Sequence, residues 1–149
     1  MLGELNNAQI RNVLASQVLG RLACSENDQP YIIPITYTYN GEYIYGQMNE
    51  GKKLEILRKN PKICFEVTLM SDMTNWQSVL VFGEFEELKD QEEEKARYIL
   101  FNRIFSLMTS STVHTEGHEE DSKIDDGNRV KNILYRIKID TITGRFEKK

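Results

Sequence analysis

The stretch GRLACSENDQPYIIPITYTYNGEYIYGQ, residues 20–47, carries the clearest structural signal in the sequence. β-branched and aromatic residues dominate it, which is typical of strands, and two turn signals interrupt it. The polar segment SENDQP joins a first strand to a second. Asn40 and Gly41 then form an Asn-Gly pair, which favours a tight hairpin because both central residues of a type I′ turn take positive φ. The stretch therefore predicts three strands joined by short turns.

Three further segments have the apolar spacing of short helices. The first, AQIRNVLAS, is expected to be capped by Asn7. The second, GKKLEILRKNP, is expected to stop at Pro61. The third is expected to run from Asp90, which can form a capping box with Glu93, to about Ser106. The residues available for burial on these helices are Ile10, Val13, Leu14, Leu54, Ile56, Leu57, Tyr98, Ile99, Phe101, Ile104 and Phe105.

The remaining strands are KICFEVTLM, WQSVLVFGEFEEL and a long final strand in VKNILYRIKIDTITGRF. Gly83 lies inside the second of these, where a glycine indicates a bulge or a close backbone approach. Most of the predicted strands are joined by short turns, and helices occur only singly between them. A parallel sheet would instead show strands and helices in regular alternation. The sequence therefore predicts a mainly β (α+β) fold, a six-stranded antiparallel barrel with a few covering helices.

The whole chain, residues 1–149, is long enough for one domain with a real core. Its formal net charge of −4 and pI of about 5.3 make bulk attraction to nucleic acid weak, so any anion site must be local. No apolar run long enough for a membrane span and no signal peptide is evident, so we expect a cytoplasmic protein without a membrane partner. Cys24 and Cys64 lie in strand patterns and are expected to be reduced thiols without chemistry.

The segment MNEGKKLEILRKNP, residues 48–61, places Gly51, Lys52 and Lys53 where a helix should begin. Positive charge is unfavourable there unless an anion is bound, because the helix dipole and the unpaired N–H groups already make that end positive. A glycine would let the ligand approach the backbone closely. The segment predicts a phosphate site, although two lysines on a solvated helix end are also common.

The ordered set of GRLAC, PYIIP, the Asn-Gly hairpin, EGKKLEILRKNPKICFEV, NWQSVLVFGEFEEL and TGRFEK resembles one family. This family is the FMN-binding split β-barrel proteins related to pyridoxamine 5′-phosphate oxidase, and in particular its subgroup of nitroimidazole-resistance proteins. The resemblance covers nearly the whole chain. It implies a split β-barrel, an FMN cofactor, and a homodimer with the flavin at the subunit interface.

The resemblance also implies roles for particular residues. The strand at Pro34, Ile35, Thr36 and Tyr37 would run along the isoalloxazine ring, and the strand end at Tyr45, Gly46 and Gln47 would lie beside it. The helix start at Gly51, Lys52 and Lys53 would take the FMN phosphate. Trp76 and Ser78 would complete the pocket from the second subunit.

Other interpretations of these residues stay open. Many relatives have a histidine at the position of Gln47, whose amide can hydrogen-bond but cannot titrate. The tyrosines of the hairpin are explained equally by cross-strand pairing. Trp76 can be a core or interface anchor, and Ser78 an ordinary outward strand residue.

The polar segment 108–128 is too long for an ordinary connection and is expected to be a functional or mobile loop. His114 and His118 within it have no third ligand at a known spacing, so no metal site is predicted. In the resembled family a histidine-containing segment lies here, which makes His114 a weak candidate on the substrate side.

The function favoured by these observations is that of an FMN-dependent oxidoreductase passing electrons from a reduced small-molecule donor to a small acceptor. The sequence has no catalytic triad, zinc motif or Walker loop that would favour other chemistry. The alternative is a non-catalytic flavin- or haem-binding module. A vitamin B6 oxidase is less favoured because the chain ends in TGRFEKK and lacks the arginine-rich C-terminal motif of that group.

Overall fold

The computed structural model describes the backbone of residues 1–108 and 132–149 and the side chains of 1–104 and 132–149. The helices are α1 (Asn7–Ser16), α2 (Lys52–Lys59) and α3 (Asp90–Met108). The strands are β1 (Leu2–Glu4), β2 (Leu19–Glu26), β3 (Gln29–Thr36), β4 (Thr38–Tyr39), β5 (Tyr43–Asn49), β6 (Lys62–Asp72), β7 (Asn75–Glu87) and β8 (Asn132–Glu147).

All the strands form one antiparallel sheet in the order β3-β2-β6-β7-β8-β5-β4, with β1 added beside β8. The two ends of this path, β3 and β4, are joined by the single residue Tyr37. The sheet therefore curls until its ends meet, and it forms the antiparallel barrel that the sequence predicts. The six long strands match those predicted, whereas β1 and the break between β3 and β4 were not foreseen.

The barrel interior holds the main hydrophobic core. Its members alternate along each strand with outward residues, as a half-buried sheet requires. Helices α1 and α2 contribute Ile10, Val13, Leu14, Leu54, Ile56 and Leu57, all buried as predicted. The largest fully buried side chains are Tyr37, Tyr135, Phe65, Leu14, Leu22, Ile44, Leu54, Leu57, Leu134, Ile137, Val13 and Val67.

Both hairpin turns lie where the sequence places them, but the second differs in detail. Asn27 and Asp28 of SENDQP take φ of 50° and 64°, so this is the two-residue turn with two positive φ angles. At the Asn-Gly pair only Gly41 has positive φ, at 96°. The Asn40 side chain instead accepts hydrogen bonds from the N–H groups of Glu42 (2.9 Å) and Tyr43 (2.7 Å). This side-chain turn holds a three-residue loop, so the type I′ prediction is wrong.

Gly83 confirms both expectations for a glycine inside a strand. The pairing of β7 with β8 shifts register between Phe82 and Gly83, which is a bulge. A Cβ on Gly83 would lie 2.2 Å from the carbonyl oxygen of Lys138. No larger residue fits between the two strands at this point.

Two helix caps differ from the prediction. The N-cap of α1 is Asn6, one residue earlier than expected, in a reciprocal capping box with Gln9 (2.8 Å each way). The predicted box at the start of α3 is wrong, because Asp90 has a φ of 58°. The Glu93 carboxylate contacts Arg97 at 2.9 Å, one helical turn later.

Helix α3 covers the barrel with one narrow apolar face. Ala96 and Leu100, four residues apart, are buried in a second cluster with residues of β5, β8 and the β7–α3 connection. Tyr98 and Phe101 are 68% and 62% exposed, so the expectation that they are buried is wrong. They point away from the sheet because they lie on the opposite side of the helix from Ala96 and Leu100. The side chain of Phe105 lies outside the described residues.

Candidate functional site

A cavity of about 570 Å³ is lined by residues of β3 and β5 close to Tyr37, where the barrel closes. The start of α2 bounds one end, and α3 contributes to the wall. The volume is within the range of small-ligand and cofactor pockets. The lining residues are Ile33, Pro34, Ile35, Thr36, Gln47, Met48, Asn49, Glu50, Gly51, Lys52, Lys53, Leu100 and Ile104.

Strand β3 borders this cavity with an open edge, because it is the last strand of the sheet. Because Glu26 and Gln29 flank a two-residue turn, they form a hydrogen-bonded pair, and Gln29 directs its backbone N–H and carbonyl toward β2. Pro30 and every second residue after it along β3 therefore direct their backbone groups away from β2, to the open edge. Two of these are Pro30 and Pro34, which have no N–H and stop another strand from adding there. Within residues 1–108 and 132–149, the Thr36 N–H and carbonyl at the cavity end of this edge have no strand partner.

The start of α2 presents backbone N–H donors to the same cavity, and no described residue accepts from them. Its N-cap is Gly51, which has no side chain to satisfy the first N–H groups, and the first intrahelical bond is from Glu55 N to the Gly51 carbonyl (3.2 Å). Lys52 and Lys53 are exposed beside these groups. Neither lysine forms an ion pair with any side chain in the part of the chain that the structure describes. This end of the cavity therefore has a local positive charge in an acidic protein.

Glu50, the carboxylate that directly precedes Gly51 in the sequence, binds another partner. The Arg58 guanidinium binds both Glu50 oxygens, Nη1 to Oε2 at 3.1 Å and Nη2 to Oε1 at 3.0 Å. Arg58 also binds both oxygens of Glu87, Nε to Oε2 at 3.0 Å and Nη2 to Oε1 at 2.7 Å. The hydrogen bonds to Glu87 and Glu50 raise the pKa of Arg58 above its usual value. We call these three side chains the Arg58 clamp; it joins Glu50, two residues before α2, to the helix itself and to the end of β7.

Comparison with protein families gives an extended match. The model of the family described as pyridoxamine 5′-phosphate oxidase matches residues 6–146. The chain belongs to this family. No helix in residues 1–108 and 132–149 of this pyridoxamine 5′-phosphate oxidase family member is long and apolar enough to cross a membrane.

Similar proteins and structures agree with the family and the fold. A FAD-binding protein of Mesorhizobium loti is 27% identical, covers 100% of this chain and 98% of its own, and has a TM-score of 0.74. A putative 5-nitroimidazole antibiotic resistance protein of Bacteroides thetaiotaomicron is 15% identical, with coverage of 98% and 87% and a TM-score of 0.71, which shows a shared fold. An uncharacterised protein of Rhizobium meliloti is 37% identical over 84 residues, and this match spans about half of each chain, 56%.

Most of the predicted site residues of this pyridoxamine 5′-phosphate oxidase family member lie in the one cavity. Those that line it are Pro34, Ile35, Thr36, Gln47, Gly51, Lys52 and Lys53. Tyr37 does not line it. Its side chain is 1% exposed and lies in the core, where the ring meets Phe65 edge to face at 5.1 Å and the hydroxyl donates to the Leu14 carbonyl at 2.7 Å. The backbone of Tyr37 connects β3 to β4, whereas its side chain is in the core.

Tyr45 and Gly46 are buried in β5 and do not line the cavity either. Tyr45 belongs to the cluster beneath α3, and its hydroxyl accepts from Asn40 Nδ2 at 3.3 Å. Gly46 pairs with Tyr135 of β8, whose hydroxyl fills the space that a Cβ on Gly46 would need (2.4 Å). These two residues shape the strand that leads to Gln47.

Trp76 and Ser78 lie on the outer face of β7 and outside the cavity of their own chain. Trp76 Nε1 donates to Glu147 at 3.0 Å, and Ser78 Oγ donates to Glu66 at 3.1 Å. Their predicted contribution to a second subunit's pocket stays a prediction. His114 and segment 109–128 lie outside the described residues, so the expectations for them are untested.

Several cavity residues were not foreseen from the sequence. Leu100 and Ile104 of α3 are one helical turn apart. This spacing indicates that they share a helix face, but it does not indicate which strands that face packs against. Glu50 adjoins the predicted glycine and two lysines, yet its pairing with Arg58 depends on the fold. Cys24 and Cys64 are free thiols, and burial raises the pKa of both, so they remain protonated at neutral pH and offer no nucleophile.

Proposed function

We propose that this chain is a flavoprotein that holds FMN in the cavity between β3, β5 and α2. The observation that carries the proposal is the start of α2, where Lys52, Lys53 and uncapped N–H groups have no anion among the described residues. Family membership and the likeness to a FAD-binding protein along both whole chains support a flavin. FMN concentrates a dianion on one terminal phosphate, which suits two lysines at a helix start.

The residues present fit such a ligand. The α2 N–H groups and the two lysine ammonium groups would bind the phosphate. The free N–H and carbonyl of Thr36 would meet polar atoms at the edge of a flat ring, while the buried side chains of Ile33, Ile35 and Leu100 provide apolar surroundings. Gln47 would hydrogen-bond the ring without exchanging a proton with it.

We further propose that the protein is an oxidoreductase that passes electrons from a reduced small-molecule donor to a small acceptor. FMN, when bound, supplies the electron chemistry, and the protein supplies binding, orientation and electrostatics. The cavity opens to solvent beside the exposed Pro34 and Thr36, so a second reactant can approach. The described lining residues include no histidine, which fits a role limited to holding and orienting.

We also propose a homodimer with the flavin at the subunit interface. The outer face of the sheet has an aligned row across four strands, Ile32, Ala23, Cys64 and Phe82. Ile32 and Phe82 in this row are 72% and 46% exposed, which is unusual for an outward sheet face. The row runs from β3, which borders the cavity, to β7, whose outer face also carries Trp76 and Ser78. A two-fold axis across this face would bring those residues toward the partner's cavity.

The proposal is tested by identifying the flavin that the protein binds. The purified protein is mixed with equal FMN, FAD and riboflavin, separated from free ligand, and heated, and the released flavin is identified by chromatography. We expect FMN to predominate. Release of no flavin from a folded protein would overturn the proposal.

The electron transfer is tested separately. Under anaerobic conditions the loaded protein is mixed with NADH or NADPH and then with a quinone or nitro compound, and flavin absorbance is followed. We expect bleaching and then recovery of the absorbance. A flavin that stays oxidised with every donor would favour the non-catalytic binding module, most strongly if haem binds the same cavity more tightly than FMN.

A further inference from the structure

Within the Arg58 clamp, Arg58 binds Glu50, which is the carboxylate closest in sequence to the positive end of the cavity. Glu50 directly precedes the N-cap Gly51 and lines the cavity together with Lys52 and Lys53. A carboxylate at this position is attracted to the helix dipole and to both lysines. It would then compete with any ligand phosphate for the same donors. In the structure both oxygens of Glu50 are held by Arg58, seven residues after Gly51 at the far end of the helix.

A second pair of hydrogen bonds, to Glu87, fixes the direction of the Arg58 side chain. Arg58 also holds both oxygens of Glu87 at the end of β7, and Glu87 is only 21% exposed. Two bidentate contacts use the planar guanidinium fork in a way that a single ammonium cannot. The Arg58 side chain is therefore tied to the barrel, and among the described residues Glu50 forms its ion pair with Arg58 and not with either lysine.

We infer that Arg58 is a positioning residue that prevents the protein's own carboxylate, Glu50, from occupying the anion site at the start of α2. This inference rests on the proposed FMN function and adds the residue that holds the phosphate site open. Arg58 acts through Glu50 and does not itself line the cavity. It follows that loss of Arg58 weakens phosphate-bearing flavin selectively, and that removal of the Glu50 charge restores it.

The experiment measures dissociation constants of FMN and riboflavin by flavin fluorescence for the full chain and four variants. We expect Arg58→Met to weaken FMN roughly fivefold while riboflavin changes less than twofold, because a freed carboxylate competes only with the phosphate. The double variant Arg58→Met/Glu50→Gln should return the FMN-to-riboflavin ratio to within twofold of the wild type. Glu50→Gln alone should leave the ratio at the wild-type value or above it.

Lys59→Met is the matched control, since Lys59 is the next residue on the same exposed helix turn and has no ion pair within the described residues. It removes the same charge, and we expect the ratio to change less than twofold. If Arg58→Met does not fold, Arg58→Lys replaces it, because lysine keeps the charge but cannot bind both carboxylates bidentately. Its smaller loss should also be reversed by Glu50→Gln.

The outcomes separate the two proposals. A wild type that binds FMN no more tightly than riboflavin overturns the phosphate site and the proposed function. A wild type that prefers FMN, with equal losses of both flavins on Arg58 substitution or no rescue by Glu50→Gln, overturns the clamp alone. An equal effect of Lys59→Met would show that net charge on the helix, and not the position of Glu50, sets the affinity.

Discussion

The hydroxyl of Tyr37, the single residue between β3 and β4, donates a 2.7 Å hydrogen bond to the carbonyl oxygen of Leu14. Leu14 lies near the end of α1 and is fully buried, as is almost all of Tyr37. The Tyr37 backbone N–H also donates to the Val18 carbonyl at 2.9 Å. One residue therefore joins the two ends of the sheet and fastens a covering helix to them.

Removal of this hydroxyl should destabilise the barrel. We expect Tyr37→Phe to lower the free energy of unfolding by about 1 kcal/mol, because the Leu14 carbonyl loses a buried partner. The melting temperature should fall by about 3 to 5 °C. Tyr98→Phe is the control, since Tyr98 is 68% exposed, and it should change stability by less than about 0.3 kcal/mol. Equal effects of the two substitutions would contradict the role of the Tyr37 bond.

The stability of the protein should fall in alkaline solution. Burial raises the pKa of Tyr135 above its ordinary value near 10, and its hydroxyl has no hydrogen-bond partner among the described residues. The folded state therefore keeps a proton that the unfolded state releases, so stability is complete below about pH 10 and declines above it. At pH 10.5 the loss from this group is about 0.8 kcal/mol.

Urea unfolding at pH 8.5 and pH 10.5 measures this effect. The decrease in unfolding free energy between the two pH values should be smaller in Tyr135→Phe than in the wild type by about 0.8 kcal/mol. An undiminished decrease in Tyr135→Phe would mean that this tyrosine ionises equally in both states.

Gly83 and Gly51 should respond differently to a methyl group. Gly83→Ala places a Cβ 2.2 Å from the Lys138 carbonyl oxygen and should cost at least about 2 kcal/mol of stability. A Cβ on Gly51 meets nothing within 4 Å, and its φ of 163° is extended backbone that alanine adopts, so Gly51→Ala should stay within about 0.5 kcal/mol. Thermal unfolding distinguishes the two; similar melting temperatures would show that the β7–β8 bulge can widen.

The outer row of the sheet should determine the oligomeric state. If the proposed dimer forms through this row, we expect Phe82→Glu to convert it into a monomer in light scattering, because the substitution would place a charge in an apolar interface. Tyr98→Glu on α3 is the control and should leave the dimer intact. A wild-type monomer that is still saturated by FMN would exclude the proposed interface.

The sequence was sufficient for those features that local chemistry determines. Alternation along the strands, the turn within SENDQP and the stop at Pro61 each depend on neighbouring residues only. The six long strands and the buried faces of α1 and α2 follow from these patterns. The three residues proposed to bind a phosphate, Gly51, Lys52 and Lys53, are consecutive, so the sequence alone brings them together at the start of α2.

The features that the sequence missed depend on contacts between distant residues. Tyr98 is exposed because α3 packs on β5 and β8 with its other side. Apolar residues are spread around most of α3, so the sequence of the helix does not show which side faces the sheet. The bond between Arg58 and Glu87 joins residues 29 apart. Leu100 and Ile104 line the cavity only because α3 packs against β8, β5 and β4.

The phosphate site at the start of α2 is tested most directly by comparing FMN with riboflavin in the wild type and in Lys52→Glu/Lys53→Glu. Each charge-assisted contact to the phosphate contributes about 1.5 to 3 kcal/mol, so the loss of two should weaken FMN more than about 100-fold. Riboflavin has no phosphate, and its dissociation constant should change less than about threefold, with circular dichroism confirming the fold. Equal weakening of both flavins, or no weakening of FMN, would contradict a phosphate held by Lys52 and Lys53.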